Sequence, residues 1–213
     1  MVCTGKGISR ARDCRQPRRS LSESSHDIQT MIARAIRRPA LSRATTFARS
    51  FAPAARLVHT EKKIEELGFT LPPPAKPLAT YVPWVRTGNV IMISGHIPFE
   101  EDMKSLPNGK VGKDFTTEEG QKFAERIGLL LTSTLKSAVG DLDKVKKIVK
   151  LVGFVNCPDD YTEQPEVLNG CSSLMAAVFG PERGPHARSA VGTNVLPRNV
   201  PVEIEMIAEV SDD

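Results

Sequence analysis

The sequence predicts an α+β fold in which a single mixed β-sheet carries two helices packed on one face. The first observation is the alternating run from Val202 to Val210, where apolar side chains are separated by glutamates. The second is a long segment after Thr116 that repeats apolar residues at helical spacing. The third is the element order of strand, strand, helix, strand, helix, strand and strand, which is typical of this class.

The folded region is expected to begin with a short helix at residues 62–67, followed by a stiff proline-rich spacer at residues 72–77. Strands are predicted at residues 81–86 and 90–94, joined by a turn at Gly88 and Asn89. Thr116 and Glu119 form a capping box for the first long helix, which ends at Gly140.

A long β-branched run predicts a strand at residues 145–155. Pro165 indicates the start of the second long helix, and Gly180 its end. Two strands close the chain, one from about His186 to Gly192 and the alternating run, with a Leu-Pro-Arg-Asn turn between them.

Two helices on one side leave the other face of the sheet uncovered. We expect that face to include Leu151, Val149 and Ile207, or their neighbours of opposite parity. A bare apolar sheet face implies burial by another subunit.

The charge is distributed unevenly along the 213 residues. The chain holds 29 Lys and Arg against 25 Asp and Glu, but residues 1–60 contribute 12 of the basic and only 3 of the acidic residues. Residues 61–213 therefore carry a net charge of −5. We expect an extension at 1–60 and one domain at 61–213, and an acidic domain disfavours nucleic-acid binding.

Residues 31–60 carry six arginines and no acidic residue before Glu61, which is typical of a mitochondrial transit peptide that starts at Met31. A basic amphipathic helix on a lipid surface is the competing use. The segment predicts a mitochondrial matrix protein. No apolar run approaches the length of a transmembrane helix, so no membrane partner is expected.

The cysteines show no spacing typical of metal ligands, and no metal or cofactor is predicted. Cys157 and Cys171 are expected to be small buried residues.

The chemistry is expected near the C-terminus. Arg188 and Glu203, near the starts of the last two strands, could hold a small carboxylate beside an activated water. Solvated glutamates on the polar face of the strand are the ordinary alternative.

Several segments in order resemble the Rid family of imine/enamine deaminases, also called YjgF-like proteins, and indicate a divergent branch of it. They are Ala187-Arg188-Ser189 before Leu196-Pro197 and Val202-Glu203-Ile204-Glu205, then Ser94-Gly95-His96-Ile97-Pro98, Gly140 to Val145, and Val167 to Gly170. The resemblance covers roughly residues 61–212. It implies a chorismate-mutase-like fold, a homotrimer and ligand sites in the clefts between subunits.

The resemblance also implies roles for five residues. Arg188 would bind the carboxylate of a 2-imino acid, Glu203 would activate the attacking water, and the carbonyl of Ala190 would help to hold that water. Tyr81 and Asn169 would lie beside the substrate, although a rim aromatic and a helix-surface amide are the ordinary alternatives. His96, where the family usually has glutamine, and His186 could tune the pocket, although a surface histidine that forms a hydrogen bond is the ordinary alternative for both.

The sequence thus predicts a deaminase that converts 2-imino or enamine acids to 2-keto acids and ammonia. A non-catalytic regulatory trimer that senses a small carboxylate, such as an imino or keto acid, is the second hypothesis, and an endoribonuclease is the third.

Overall fold

The computed structural model describes residues 59–74, 76 and 79–211. Contacts divide the chain into Met1–Pro53 and Ala54–Asp213, and every described residue belongs to the second unit. The predicted transit segment therefore lies almost wholly outside the described residues, as do Cys3 and Cys14. No helix in the described part of the chain is long and apolar enough to cross a membrane.

The predicted element order is confirmed. The helices and strands are α1 Thr60–Glu66, β1 Trp84–Thr87, β2 Val90–His96, α2 Thr117–Val139, β3 Val145–Asn156, α3 Gln164–Arg183, β4 Ala187–Thr193 and β5 Val202–Val210. A 3₁₀ turn, Pro197–Asn199, occupies the predicted Leu-Pro-Arg-Asn turn.

The five strands form one sheet in the order β1-β2-β5-β3-β4. β3 and β4 are parallel, and the other neighbouring pairs are antiparallel, so the predicted mixed sheet is confirmed. A parallel pair needs a crossover, and α3 supplies it between β3 and β4.

The ends of both long helices follow the local sequence signals. Thr116 and Glu119 form the expected capping box at α2, and Gly140 follows its last turn with φ 78°. In α3, Gly180 adopts φ 75° and ψ 179°, which interrupts the helix where its end is predicted, and one further turn runs to Arg183. Left-handed φ values of this kind are accessible to glycine at little cost.

Helix α1 is fastened to the 3₁₀ turn Leu142–Lys144 by carboxylates that cap backbone amides. Asp143 Oδ1 accepts hydrogen bonds from the amide and the hydroxyl of Thr60 at 2.9 and 2.6 Å. Glu61 Oε1 accepts from the amide of Leu142 at 3.1 Å, and Asp141 Oδ1 accepts from the amide of Asp143 at 2.8 Å. These three carboxylates lie close together because each of them caps this junction.

Helices α2 and α3 pack against one another at a glycine contact. A Cβ atom added at Gly170 would lie 2.0 Å from the backbone oxygen of Gln121 in α2. Gly128 also lies at this interface, but an added Cβ would meet the flexible end of Leu174 first, at 2.8 Å. The separation of the two helices therefore depends on Gly170 more than on Gly128.

We expect Gly170→Ala to lower the free energy of unfolding by about 3 kcal/mol, because backbone atoms of α2 cannot move aside as a side chain can. Gly128→Ala is the matched control and should cost clearly less. Chemical denaturation of both variants measures the difference. Equal stability losses would mean that the close backbone contact is not what limits the helix packing.

The side chains of β3 do not alternate regularly between the two faces of the sheet, as the sequence predicts they should. The pairing with β5 shifts register between Ile148 and Lys150, which leaves Val149 as an extra residue. Such a bulge inverts the facing of the residues that follow it. Leu151 is consequently fully buried beneath the helices, so its predicted place on the uncovered face is wrong. Val149 does lie on the uncovered side and is 39% exposed.

The sheet face opposite the helices is apolar near β1 and β2 and acidic along β5. Val85 pairs with Met92, Met92 with Ile207, and all three lie on this face. Val85 and Met92 are about half exposed. Glu203, Glu205 and Glu209 occupy alternate positions of β5 on the same side. The predicted uncovered face is therefore present in the single chain.

The first strand is shorter than predicted. β1 begins at Trp84 rather than at Tyr81, because Pro83 has no amide hydrogen to continue the ladder. The preceding segment is held to β2 by Ser94, whose amide donates to the Pro83 carbonyl and whose hydroxyl donates to that of Val82. Tyr81 is 47% exposed just ahead of the sheet.

Candidate functional site

A cavity of about 440 Å³ opens where the end of β2 meets the start of β5. Tyr81 and Glu203, two of the five predicted site residues, both line it. The other lining residues are Lys76, Ala79, Pro83, Ser94, Gly95, His96, Ile97, Phe99, Pro197 and Arg198. Aromatic and proline side chains around one carboxylate give the cavity mostly apolar walls with a single acidic group.

A bulge in β2 makes room for the carboxylate of Glu203. The register between β2 and β5 shifts between Ile93 and His96, so Ser94 and Gly95 form the irregular segment. A Cβ atom at Gly95 would lie only 2.0 Å from Oε1 of Glu203. Glycine is therefore required at this position for the carboxylate to lie against the backbone of β2.

Glu203 is a half-buried carboxylate without a protein partner. Among the described residues, none forms a hydrogen bond or an ion pair with its carboxylate. Burial raises the pKa of Glu203, and the neighbouring charge of Glu205 raises it further. A carboxylate of this kind is more basic than an exposed one and has both oxygens available to a water molecule.

The same burial disfavours the ionised form of Glu203, so this residue should lower the stability of the folded chain at neutral pH. Between the ordinary glutamate pKa and its raised value, the folded chain binds more protons than the unfolded chain, so stability falls as the pH rises through that window. Glu203→Gln should therefore raise Tm at neutral pH, and the difference should disappear below about pH 4. Glu65→Gln, on the exposed side of α1, serves as the control, and thermal melts at several pH values measure both. A neutral-pH Tm below that of the wild type would contradict this assignment.

His96 supports the bulge from beneath. Its side chain is almost fully buried, with Nδ1 2.7 Å from the carbonyl of Ser94 and Nε2 2.8 Å from the hydroxyl of Thr134. A carbonyl can only accept, so Nδ1 carries the hydrogen and Nε2 accepts from Thr134. Burial lowers the pKa of His96, against a smaller opposing effect of the Ser94 hydrogen bond. The neutral ring thus spans the bulge at Gly95, and the ordinary alternative of a surface histidine does not apply to His96.

Arg188 lies on the other side of the sheet, against α3. Its Nη1 donates to Oδ1 of Asn169 at 2.9 Å and to Oγ of Ser172 at 3.0 Å. These two acceptors fix the plane of the guanidinium. Its Nε and Nη2 have no partner among the described residues, and together they form the side-on edge that binds a carboxylate through two parallel hydrogen bonds.

Ser172 connects the arginine to His186. The Ser172 hydroxyl lies 3.1 Å from Nε2 of His186, whose Nδ1 lies 2.7 Å from the carbonyl of Gly184. His186 therefore orients the hydroxyl that supports Arg188. Burial raises the pKa of the nearby Cys171 thiol to about 12, although Arg188 opposes the shift, so this cysteine is not a nucleophile. Cys157 and Cys171 are both free and buried, as predicted.

Ala190 lies on the same side of the sheet as Arg188, two residues further along β4, where it packs against the core. Arg188, Asn169 and Ala190 thus form one group of predicted site residues, and Tyr81 and Glu203 form another.

The two groups do not meet within one chain. Arg188 pairs with Leu151 of β3, while Glu203 pairs with Phe154, three residues further on. No register shift intervenes, and residues an odd number apart point to opposite faces of a sheet. Arg188 therefore faces α3, and Glu203 faces the uncovered side.

Sequence reasoning missed several residues around both groups. Ser172 follows Asn169 by three positions, so helical spacing would have placed both on one face of α3. Ser94 and Gly95 belong to a segment that the resemblance had singled out, but the bulge they form is not visible in a local pattern. Phe99 and Arg198 carry no sequence signal that would place them at the cavity.

The sequence of this chain is similar to those of known proteins over most of the described residues. Residues 61–210 match the family model described as "YjgF/chorismate_mutase-like, putative endoribonuclease". The Trypanosoma cruzi protein TCP17 is 40% identical over 149 residues, which cover 70% of this chain and 92% of that protein. A RutC family protein of Pyrococcus abyssi is 26% identical over 144 residues, covering 68% of this chain and 96% of the relative.

Two solved structures share both fold and sequence. Atu1372 from Agrobacterium tumefaciens, a protein of unknown function, is 40% identical with a TM-score of 0.65, covering 71% of this chain and 92% of that one. A protein of Shewanella oneidensis MR-1 that carries the endoribonuclease label is 32% identical with a TM-score of 0.68, covering 71% and 99%. With this sheet and helix arrangement and a family match over most of the described residues, the chain belongs to the YjgF/Rid family.

Proposed function

We propose that the protein is a hydrolytic deaminase of reactive 2-imino and enamine acids, working in a site that two subunits form together. The observation that carries the proposal is a pair of complementary groups, an arginine with an open bidentate edge and an unpaired half-buried glutamate. One suits a carboxylate and the other suits a water molecule, and a 2-imino acid needs both.

Carboxylate binding follows from the geometry of Arg188. Because Nη1 is already engaged by Asn169 and Ser172, the guanidinium can offer only its Nε and Nη2 edge. That edge is orientationally fixed, so it would set the position of the carbon next to the carboxylate.

Water activation follows from Glu203. Its carboxylate would accept a proton from water while the oxygen bonds to the imine carbon and the C=N electron pair moves to nitrogen. Glu203 passes that proton to the nitrogen, which gives a neutral carbinolamine. The carboxylate of Glu203 then takes the proton of the carbinolamine hydroxyl as the C=O bond of the 2-keto acid forms, and returns it to the amino nitrogen as the C–N bond breaks and ammonia leaves. Burial raises the pKa of Glu203 towards the working pH, which improves such a base.

A homotrimer would join the two groups. The uncovered face beside Glu203 contains exposed apolar side chains, including Val85 and Met92, which a neighbouring subunit would bury. Arg188 and Glu203 point to opposite sides of one sheet, so a head-to-tail contact that closes into a ring could place Arg188 of one subunit at the Glu203 cavity of the next. Sedimentation of the full chain at micromolar concentration tests this arrangement, and a stable monomer would remove it.

A carboxylate sensor without turnover is the second candidate, since the open edge of Arg188 alone would suffice for it. The endoribonuclease label of the family is not favoured by the glutamates along the uncovered face, which would repel a phosphate backbone.

Ammonia release from enzymatically generated 2-imino acids tests the proposal. We expect the wild-type protein to accelerate release above the spontaneous rate for small 2-imino acids. Binding of the matching 2-keto acids without any acceleration would favour the sensor, and cleavage of RNA by the same preparation would favour the nuclease.

We also propose that the protein works in the mitochondrial matrix, on the strength of the six arginines and missing acidic residues at 31–60. A reporter fused to residues 31–60 should enter mitochondria, and a reporter that stays in the cytosol would contradict this.

A further inference from the structure

The 3₁₀ turn at Pro197–Asn199 presents Arg198 to the cavity in an unusual backbone conformation. Arg198 has φ 57° and ψ 18°, and Asn199 follows with φ 54°, so two consecutive residues other than glycine adopt left-handed values. Such conformations are disfavoured and persist only where the surroundings hold them. Arg198 nevertheless lines the same cavity as Glu203.

A network of asparagines holds this turn in place. Nδ2 of Asn108 donates to the carbonyl of Arg198 at 3.0 Å, and Nδ2 of Asn199 donates to Oδ1 of Asn108 at 3.0 Å. The fully buried Asn156 donates to Oδ1 of Asn199 at 3.0 Å and to the carbonyl of Val200 at 3.2 Å. The amide of Gly109 also donates to the carbonyl of Asn199 at 2.9 Å. The backbone of Arg198 is thus anchored to the sheet at the edge of the cavity.

The charges that line the cavity do not balance. Lys76 and Arg198 are both cationic, and Glu203 is the one acidic side chain in the lining that the structure describes. Neither cation forms an ion pair or side-chain hydrogen bond with a described residue. An additional cation held at the rim of an apolar cavity favours a ligand that brings a negative charge to it.

We propose that Arg198 determines substrate specificity and that the site prefers 2-imino acids whose side chain carries a second carboxylate. The inference rests on the proposed function, in which Arg188 of the neighbouring subunit takes the first carboxylate. The second carboxylate then extends towards Arg198, with Lys76 adding attraction. Neutral side chains would meet only the apolar walls formed by Tyr81 and Phe99.

The test compares acidic with neutral 2-imino acids. Amino-acid oxidases generate the acidic class from aspartate and glutamate and the neutral class from leucine and methionine, and semicarbazide trapping follows the decay of each imine. We expect the wild type to prefer the acidic class. Arg198→Gln should lower kcat/KM for that class about tenfold and change the neutral class less than about twofold. Arg198→Lys should retain most of the preference, and Lys122→Gln, an exposed lysine of α2, controls for the loss of one positive charge.

Equal effects of Arg198→Gln on both classes, or a wild-type preference for neutral substrates, would overturn the specificity assignment while leaving the deaminase intact. If the wild type turns over neither class, the proposed function itself fails. Titration calorimetry then still decides the inference, because 2-oxoglutarate should bind more tightly than 2-oxoisocaproate and should lose that advantage in Arg198→Gln. Similar affinities of the wild type for the two keto acids would contradict it.

Discussion

Arg188→Lys should lower kcat/KM for a 2-imino acid about 10²-fold or more, and Arg188→Ala should do at least the same. The lysine keeps the charge but cannot reproduce two parallel hydrogen bonds, so the substrate carboxylate would be incompletely paired in a desolvated cleft. The contacts of Nη1 with Asn169 and Ser172 also disappear, and with them the fixed plane of the recognition group.

Steady-state kinetics measure this effect, with Arg183→Lys as the control. Arg183 is also a hydrogen-bonded arginine, but it holds the carbonyl of Val145 and the hydroxyl of Thr60, remote from the cavity. The control should affect Tm more than kcat/KM. A lysine variant of Arg188 that deaminates like the wild type would rule out bidentate recognition.

Glu203→Gln should lower kcat about 10²-fold or more while the protein still binds a 2-keto acid. The amide preserves shape and hydrogen bonding but cannot take a proton from water. Glu205→Gln is the matched control, since Glu205 is two residues along the same strand, on the same face, and exposed. Full activity in Glu203→Gln would mean that Glu203 is only a surface residue of β5.

The dependence of deaminase activity on pH gives a further prediction with a defined direction. Activity requires ionised Glu203, so it should fall as the pH drops through the raised pKa of Glu203, at higher pH than an ordinary glutamate would give. Because the charge of Glu205 helps to raise the pKa of Glu203, Glu205→Gln should move the acidic limb to lower pH.

Most of the fold was predictable because its signals are local. The capping box at Thr116, the glycine after α2 and the alternation of β5 each depend on residues within a few positions of one another. The errors arise where the pairing between strands decides which face of the sheet a side chain occupies. Val149 becomes an extra residue only because of how β3 aligns with β5, and this reverses the expected facing of Leu151.

The candidate site shows the same division between features that follow from local sequence and features that depend on the pairing between strands. The hydrogen bond between Arg188 and Asn169 agrees with the sequence analysis, because both residues lie in segments that carry the family resemblance. That Arg188 and Glu203 face opposite sides depends on their partners in β3, Leu151 and Phe154, and no local pattern fixes that register. Because the two residues face opposite sides of the sheet, the expected cleft between subunits becomes a specific proposal, in which one subunit contributes Arg188 and its neighbour contributes Glu203.

Mixing two inactive variants tests that assignment most directly. Arg188→Ala and Glu203→Gln subunits, unfolded together in equal amounts and refolded, would form sites that combine an intact Arg188 from one subunit with an intact Glu203 from the next. Random assembly should restore about one quarter of the wild-type deaminase activity, while each variant refolded alone stays inactive. If the mixed trimers remain as inactive as the separate variants, the shared site proposed for Arg188 and Glu203 is contradicted.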